Sequence, residues 1–192
     1  MDEKIKKAVE ILNQGGIIIF PADTAFGIGC RMDDDSAIRK LFKIRKRPSS
    51  QAVSVLVDSI EMAQEYLEPL DKEVKKLMQK YWPGALTIVY KCKIDKVYPI
   101  VRGNGDTLGV RMPDHNTVLE LIKGVSVPIL GPSANFHGES TPYKLEDLNP
   151  ELVKLVDYVV QGNTNNFGTV STVIDCSISP WKILRQGAVR IN

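Results

Sequence analysis

Four consecutive apolar residues, Ile17-Ile18-Ile19-Phe20, stand between Gly15-Gly16 and Pro21. A strand with one wet face alternates apolar and polar side chains. This one does not alternate, so both of its faces must be covered. A chain that buries a strand on both sides needs layers packed against its sheet, and helical segments are at hand. In residues 2–13, Ile5, Ala8, Val9 and Leu12 form one apolar stripe at helical spacing, with Asp2 and Glu3 suited to the N-terminal end. Asp33 to Asp35 can cap a second helix carrying Ala37, Ile38, Leu41 and Phe42. Ala52–Val57 reads as a second buried strand. Asp58-Ser59-Ile60-Glu61 fits a capping box with Asp58 at the cap, and a further helix spans about 71–80.

Ala85–Tyr90, Thr107–Pro113, Val127–Leu130, Asp157–Val160, Ser171–Asp175 and Trp181–Arg185 read as strands. Asp114 caps a helix with Val118, Leu119 and Ile122, and a mostly polar helical segment spans Leu145–Leu155. Pro21 to Cys30, the stretch 91–106, Asn135–Tyr143 and Gln161–Thr169 read as loops. Helices alternate with strands early and strands dominate later. The expectation is one α/β domain over residues 1–192: a twisted, mixed β-sheet with flanking helices.

Composition narrows the function. A net charge of +2 is too small to argue for nucleic acid by itself. The three cysteines, Cys30, Cys92 and Cys176, are far apart and odd in number, which fits reduced thiols in a cytoplasmic protein. His115 and His137 are isolated, which argues against a structural zinc site. The N-terminus is charged and amphipathic, unlike a signal peptide, and no apolar run approaches membrane-spanning length.

Lys43-Ile44-Arg45-Lys46-Arg47-Pro48 packs four cations into six residues at the end of the second helix. Alone it reads as a solvated basic helix end, and its arginines also suit phosphate oxygens. Arg111, inside an apolar strand, needs a protein carboxylate or a ligand anion if buried. Trp82, beside the Pro83-Gly84 turn, reads as a core plug rather than a stacking platform. Gly131-Pro132-Ser133-Ala134-Asn135 follows a strand directly, where open α/β sheets place ligand contacts, and a plain turn fits it equally. There is no GxxxxGK[ST] loop and no GxGxxG, and His137 near Ser133 is too weak a signal for a catalytic triad. What remains is a cavity of cations and hydroxyls without an obvious nucleophile or general base. Such a site suits substrates that bring their own nucleophile while the protein positions them and stabilises charge.

In order along the chain, Pro21-Ala22-Asp23-Thr24-Ala25-Phe26-Gly27, Arg45-Lys46-Arg47-Pro48, Trp82-Pro83-Gly84, Gly109-Val110-Arg111-Met112-Pro113, Pro132-Ser133-Ala134-Asn135, Ser171-Thr172-Val173-Ile174-Asp175 and Leu184-Arg185-Gln186-Gly187 resemble the YrdC-like family. The resemblance runs from about Gly15 to Gly187. It implies a twisted α/β sheet with a concave, positive face. It also implies formation of threonylcarbamoyl-AMP and pyrophosphate from L-threonine, bicarbonate and ATP, for threonylcarbamoyladenosine in tRNA. By position, Thr24, Arg111, Gly131 and Ser171 would hold threonine, with Arg111 on its carboxylate and the Gly131 backbone where the substrates meet. Arg45, Arg47, Gln51, Thr107, Ser133, Asn135, Thr141 and Arg185 would surround ATP. Arg45, Arg47, Ser133 and Asn135 would carry the catalysis. Magnesium would arrive with ATP rather than on protein side chains, and no bound organic cofactor is implied. The implied partners are a downstream threonylcarbamoyl-transferase complex and tRNA, with no membrane.

The chain departs from the family in several places. The family usually has Lys at Arg45, Thr at Ala22, Tyr at Phe26, Lys or Asn at Gln51, Pro at Ala52 and Pro at Gln186, so two hydroxyls are missing near the threonine site. The chain stops just after Arg185-Gln186-Gly187, so it resembles the family's short form. Two rival readings stand beside this one: a non-catalytic module holding tRNA or double-stranded RNA on the basic face, and a related carbamoyl-adenylate handling activity that normally sits within a much larger protein.

Overall fold

The computed structural model describes residues 2–165 and 168–191. Residues 166–167 of the expected Gln161–Thr169 loop lie outside the described residues. Helix α1 (Glu3–Asn13) starts where the Asp2 side chain accepts from the Lys4 N–H, and it buries Ile5, Ala8 and Leu12. Gly15, at φ +77, turns the chain out of the helix in a conformation that costs glycine little. Strand β1 (Ile18–Pro21) follows and is buried throughout. Ile17 and Ile19 enter one core cluster, with Ile38, Leu41 and Phe42 of α2 (Asp35–Ile44). Ile18 and Phe20 enter another, with Leu12 and with Val118, Leu121 and Ile122 of α5 (Asn116–Val125). The unalternating run is therefore covered on both faces, as expected.

The stretch expected as a loop from Pro21 to Cys30 contains a strand instead. Strand β2 (Phe26–Gly29) runs antiparallel to β1, closed by a hairpin turn in which the Ala22 N–H donates to the Ala25 carbonyl. Small residues had suggested a loop. Gly27 and Gly29 are small because Phe20 crosses them and because the Leu130 carbonyl would lie 2.0 Å from a Cβ on Gly29.

The remaining strands are β3 (Val55–Leu56), β4 (Leu86–Lys91), β5 (Thr107–Arg111), β6 (Ile129–Leu130), β7 (Tyr158–Val159), β8 (Thr172–Asp175) and β9 (Lys182–Arg185). They form two mixed sheets rather than one, ordered β2-β1-β7 and β6-β3-β5-β4-β8-β9. The sheets meet along β2 and the β6 segment. There the Ile28 and Leu130 N–H groups donate to the Pro132 and Cys30 carbonyls, both at 2.9 Å.

Three helix readings are corrected. Ser59, not Asp58, caps α3 (Ile60–Tyr66), because its hydroxyl accepts from the Met62 N–H. His115, not Asp114, occupies the cap position of α5. The helix expected over Leu145–Leu155 is a 3-10 turn, Leu145–Asp147, and a short α6 (Pro150–Val153). Pro150 cannot continue a helix and Asn149 caps a new one. Helix α4 (Lys72–Tyr81) lies close to its expected span, and Trp82 is a core plug whose Nε1 donates to the Leu86 carbonyl.

Alternation along the larger sheet separates core from site. Leu86, Ile88, Leu108, Val110 and Ile174 turn into the core with Ala63, Val74 and Met78 of α3 and α4. Thr87, Val89, Thr107, Gly109, Arg111, Ser171, Val173 and Asp175 are on the opposite register and line a cavity.

Candidate functional site

The cavity holds about 450 Å³ and is walled by that sheet face, the β1–β2 hairpin and the segment after β6. Such a volume suits a small-molecule ligand. Its wall carries four arginines, Arg45, Arg47, Arg111 and Arg185. Among the described residues Asp175 is the one carboxylate in that wall, and its Oδ1 is engaged by the Ser177 N–H and hydroxyl at 2.9 and 2.6 Å. The cavity is thus electropositive and built to receive negative charge.

Each arginine is held by a different device. Helix α2 ends in a reversal: Lys46 takes φ +52, its N–H donates to the Lys43 carbonyl, and the Arg47 N–H donates to the Phe42 carbonyl. This is the helix-ending motif usually made with glycine, and it carries Arg45 and Arg47 to the same cavity. Arg45 is 4% exposed. Its Nε donates to the Asn135 main-chain carbonyl at 3.1 Å and its Nη2 to Asn135 Oδ1 at 3.2 Å. The same Oδ1 accepts from the Ser133 hydroxyl at 2.7 Å. Arg45 Nη1 is buried with no hydrogen-bond partner among the described residues. Arg47 donates to the Gln51 and Ala52 carbonyls at 3.1 and 2.6 Å, with His137 Nδ1 at 3.5 Å from its Nη1.

Arg111 is almost wholly buried and does have the partner it requires. Its Nη2 pairs with Asp23 Oδ1, its Nη1 donates to Thr24 Oγ1 at 3.0 Å and its Nε to the Gly84 carbonyl at 3.0 Å. Arg185 donates through Nε to the Ser171 carbonyl and through Nη2 to its hydroxyl, both at 3.0 Å, and that hydroxyl lies 3.0 Å from Thr87 Oγ1. Burial pushes all four guanidinium pKa values down. Arg45, with Arg47 as a repelling neighbour, comes to about 10. Arg111 is lowered by burial against the opposing effect of Asp23, and Arg185 by burial and then by Arg111. A bound anion would relieve both desolvation and mutual repulsion.

Nine of the expected site residues line this cavity: Thr24, Arg45, Arg47, Thr107, Arg111, Gly131, Ser133, Ser171 and Arg185. Asn135 is one hydrogen bond behind the wall. Gln51 and Thr141 do not line it. Gln51 is exposed and adjoins the lining residue Ala52; Thr141 precedes Pro142, whose carbonyl accepts from the Phe26 N–H. Sequence reasoning missed Asp23 and Thr87. The signal for Asp23 was the need of Arg111 for a counter-charge; for Thr87, a hydroxyl in an otherwise apolar strand.

Residues 10–187 match the model of the Sua5/YciO/YrdC family, described as telomere recombination. The chain belongs to this family. It is 32% identical to the threonylcarbamoyl-AMP synthase of Bacillus subtilis, over 98% of this chain and 54% of that protein. It is 30% identical to the threonylcarbamoyl-AMP synthase of Pyrococcus abyssi, over 98% of this chain and 55% of that protein. The chain therefore spans about half the length of these two relatives. The crystal structure of P. abyssi Sua5 complexed with L-threonine is similar in fold, with a TM-score of 0.92 and 29% identity, over 97% of this chain and 55% of that one.

Proposed function

We propose that this chain forms L-threonylcarbamoyl-AMP and pyrophosphate from L-threonine, bicarbonate and ATP, for threonylcarbamoyladenosine in tRNA. The observation that carries this reading is the convergence of four part-desolvated arginines on one cavity whose wall, among the described residues, holds a single carboxylate. A triphosphate and an amino-acid carboxylate are anions of the kind this excess would neutralise. The family membership and the threonine complex of the P. abyssi relative support it.

Thr24, Arg111, Gly131 and Ser171 hold threonine, with the carboxylate on Arg111. Arg45, Arg47, Thr107, Ser133, Asn135 and Arg185 hold ATP. Bicarbonate takes up a proton and loses water, giving CO2; threonine's amine adds to that CO2, returning a proton and giving a carbamate. A carbamate oxygen then attacks the α-phosphorus, the bond from that phosphorus to the bridging oxygen breaks, and pyrophosphate leaves. The protein's part is positioning and stabilisation of charge on the phosphoryl oxygens. Arg45, fixed through Asn135 and Ser133, and Arg47, fixed by two main-chain carbonyls, supply that charge without reorganising. Magnesium enters with ATP as part of that substrate; among the described residues no group of three or more His, Cys, Asp or Glu side chains is placed to hold an ion. The product passes to a threonylcarbamoyl-transferase complex acting on tRNA.

The test is formation of AMP adduct and pyrophosphate from labelled ATP, with threonine and bicarbonate omitted in turn. Product that needs both supports the synthase. Pyrophosphate release with another amino acid would move the assignment to a different substrate. RNA binding without any turnover would replace it by a binding module.

A further inference from the structure

Asp23 touches neither proposed substrate, yet it is the most completely enclosed charged residue of the site, at 0% exposure. Asp23 and Thr24 are the two central residues of the β1–β2 hairpin turn, between Ala22 and Ala25. Both side chains reach the same guanidinium: Arg111 Nη2 pairs with Asp23 Oδ1 and Arg111 Nη1 donates to Thr24 Oγ1. The hairpin belongs to the smaller sheet and Arg111 to the larger one. This contact therefore ties the two sheets together at the cavity wall.

Counting donors shows what the clamp leaves. A guanidinium has five N–H bonds. Asp23, Thr24 and the Gly84 carbonyl take one each from Nη2, Nη1 and Nε. One N–H remains on each terminal nitrogen, available to a ligand anion. Asp23 Oδ2 is buried with no hydrogen-bond partner among the described residues. A buried carboxylate with one idle oxygen is poorly suited to a purely structural site, where a fully satisfied neutral group would serve better. Its charge is matched to Arg111, which burial would otherwise leave uncompensated.

We infer that Asp23 is a positioning residue: it holds Arg111, through its charge and from the hairpin turn, in the orientation that receives the amino-acid substrate's carboxylate. This rests on the reading that Arg111 takes that carboxylate. Asp23 does not touch the substrate; its effect passes through Arg111, so it acts on amino-acid binding and leaves the ATP half of the cavity alone.

The test uses the full chain and steady-state pyrophosphate release, with threonine and ATP varied separately. Asp23→Asn is expected to raise the threonine KM at least about tenfold, with the ATP KM within about twofold. Asp23→Glu, which keeps the charge, is expected to recover most of the loss. In an Arg111→Gln background, Asp23→Asn is expected to add nothing to the threonine KM, because the residue it acts through is gone. The inference is overturned if Asp23→Asn leaves the threonine KM unchanged, if it raises both KM values together, or if its effect adds in full to that of Arg111→Gln. Should Asp23→Asn not fold, Asp23→Glu decides: its recovery of threonine affinity supports the inference and a loss equal for both substrates ends it. Failure of the underlying reading looks different, since the unaltered protein would then release no threonine-dependent pyrophosphate, and the inference would fall with it.

Discussion

Replacing Arg45 by the family's usual lysine separates charge from geometry. The Arg45 fork spans two acceptors on one residue, the Asn135 carbonyl and Asn135 Oδ1, at 3.1 and 3.2 Å. A single ammonium keeps the charge but not both bonds. Losing one bond to a charged group costs about 1.5 kcal/mol, or about tenfold in rate at neutral pH. The larger consequence is in the pH profile. Burial and the neighbouring Arg47 bring the Arg45 guanidinium down to about 10, so it stays cationic through neutrality. Lysine ionises about two pH units below arginine in water, and the same burial and repulsion act on it. The cation is the working form, so activity is lost as pH rises through the side chain's pKa. The alkaline limb of Arg45→Lys should therefore fall about two pH units below that of the unaltered protein, with about tenfold loss per pH unit beyond it. Arg45→Met should be slower by about 10²–10³ without a shifted limb of its own, the scale for deleting a preorganised charge stabiliser. The assay is the pH dependence of kcat/KM for ATP in pyrophosphate release at saturating threonine, which reports the protein's groups before ATP binds. If the unaltered and lysine proteins fall off together, the charge on Arg45 does not act in turnover and the role given to it is wrong.

Other perturbations reach different parts of the structure. Arg47→Ala should lower turnover by about 10²–10³ with little change in thermal midpoint; near-normal kcat would remove Arg47 from the charge-stabilising set. Asp157 accepts from the Ile17 N–H and from Lys40; burial opposes its ionisation, but these partners outweigh it and hold the carboxyl below its usual range. Its stabilisation is present above the unfolded value, near about pH 4, and is lost as pH falls through the lower folded one. Asp157→Asn should thus cost about 1 kcal/mol at pH 7, modest because the pair is partly solvated, and the gap should narrow in acid, as followed by urea melts. Gly131→Ala puts a Cβ 2.3 Å from Leu56 Cδ1. Leu56 must move, at about 1–3 kcal/mol; in a Leu56→Ala background, which carries its own cavity cost, Gly131→Ala should lower the urea midpoint less, and an equal loss in both backgrounds would mean that the clash is not what destabilises the variant.

The fold was legible where physics acts along the chain. Ile17 to Phe20 declared a doubly covered strand, and Ile5, Ala8 and Leu12 declared the helix stripe that covers one side of it. It was less legible where neighbours decide. Phe26–Gly29 is a strand because β1 and the β6 segment supply hydrogen-bonding partners on either side, which no local propensity reports. Leu145–Leu155 has helical apolar spacing, but Pro150 divides it, a local signal that sets the break.

The candidate site divides the same way. Arg45, Arg47 and Ser133 stand in short, dense motifs that are ambiguous singly and point to a site through their order along the chain. Arg111 announced only that it needed a counter-charge. Asp23, 88 residues away in sequence, supplies it because the hairpin turn folds back onto the end of β5. Thr87 joins Ser171 across 84 residues because β4 and β8 run side by side in parallel. Both missed residues act on a site residue rather than facing a ligand alone. The motifs therefore reveal groups that meet ligands, whereas the partners that orient those groups follow from strand order and register. Strand order decides which distant carboxylate can reach a buried arginine. Removing such a partner should disturb one substrate's binding selectively, as expected for Asp23, rather than the fold as a whole.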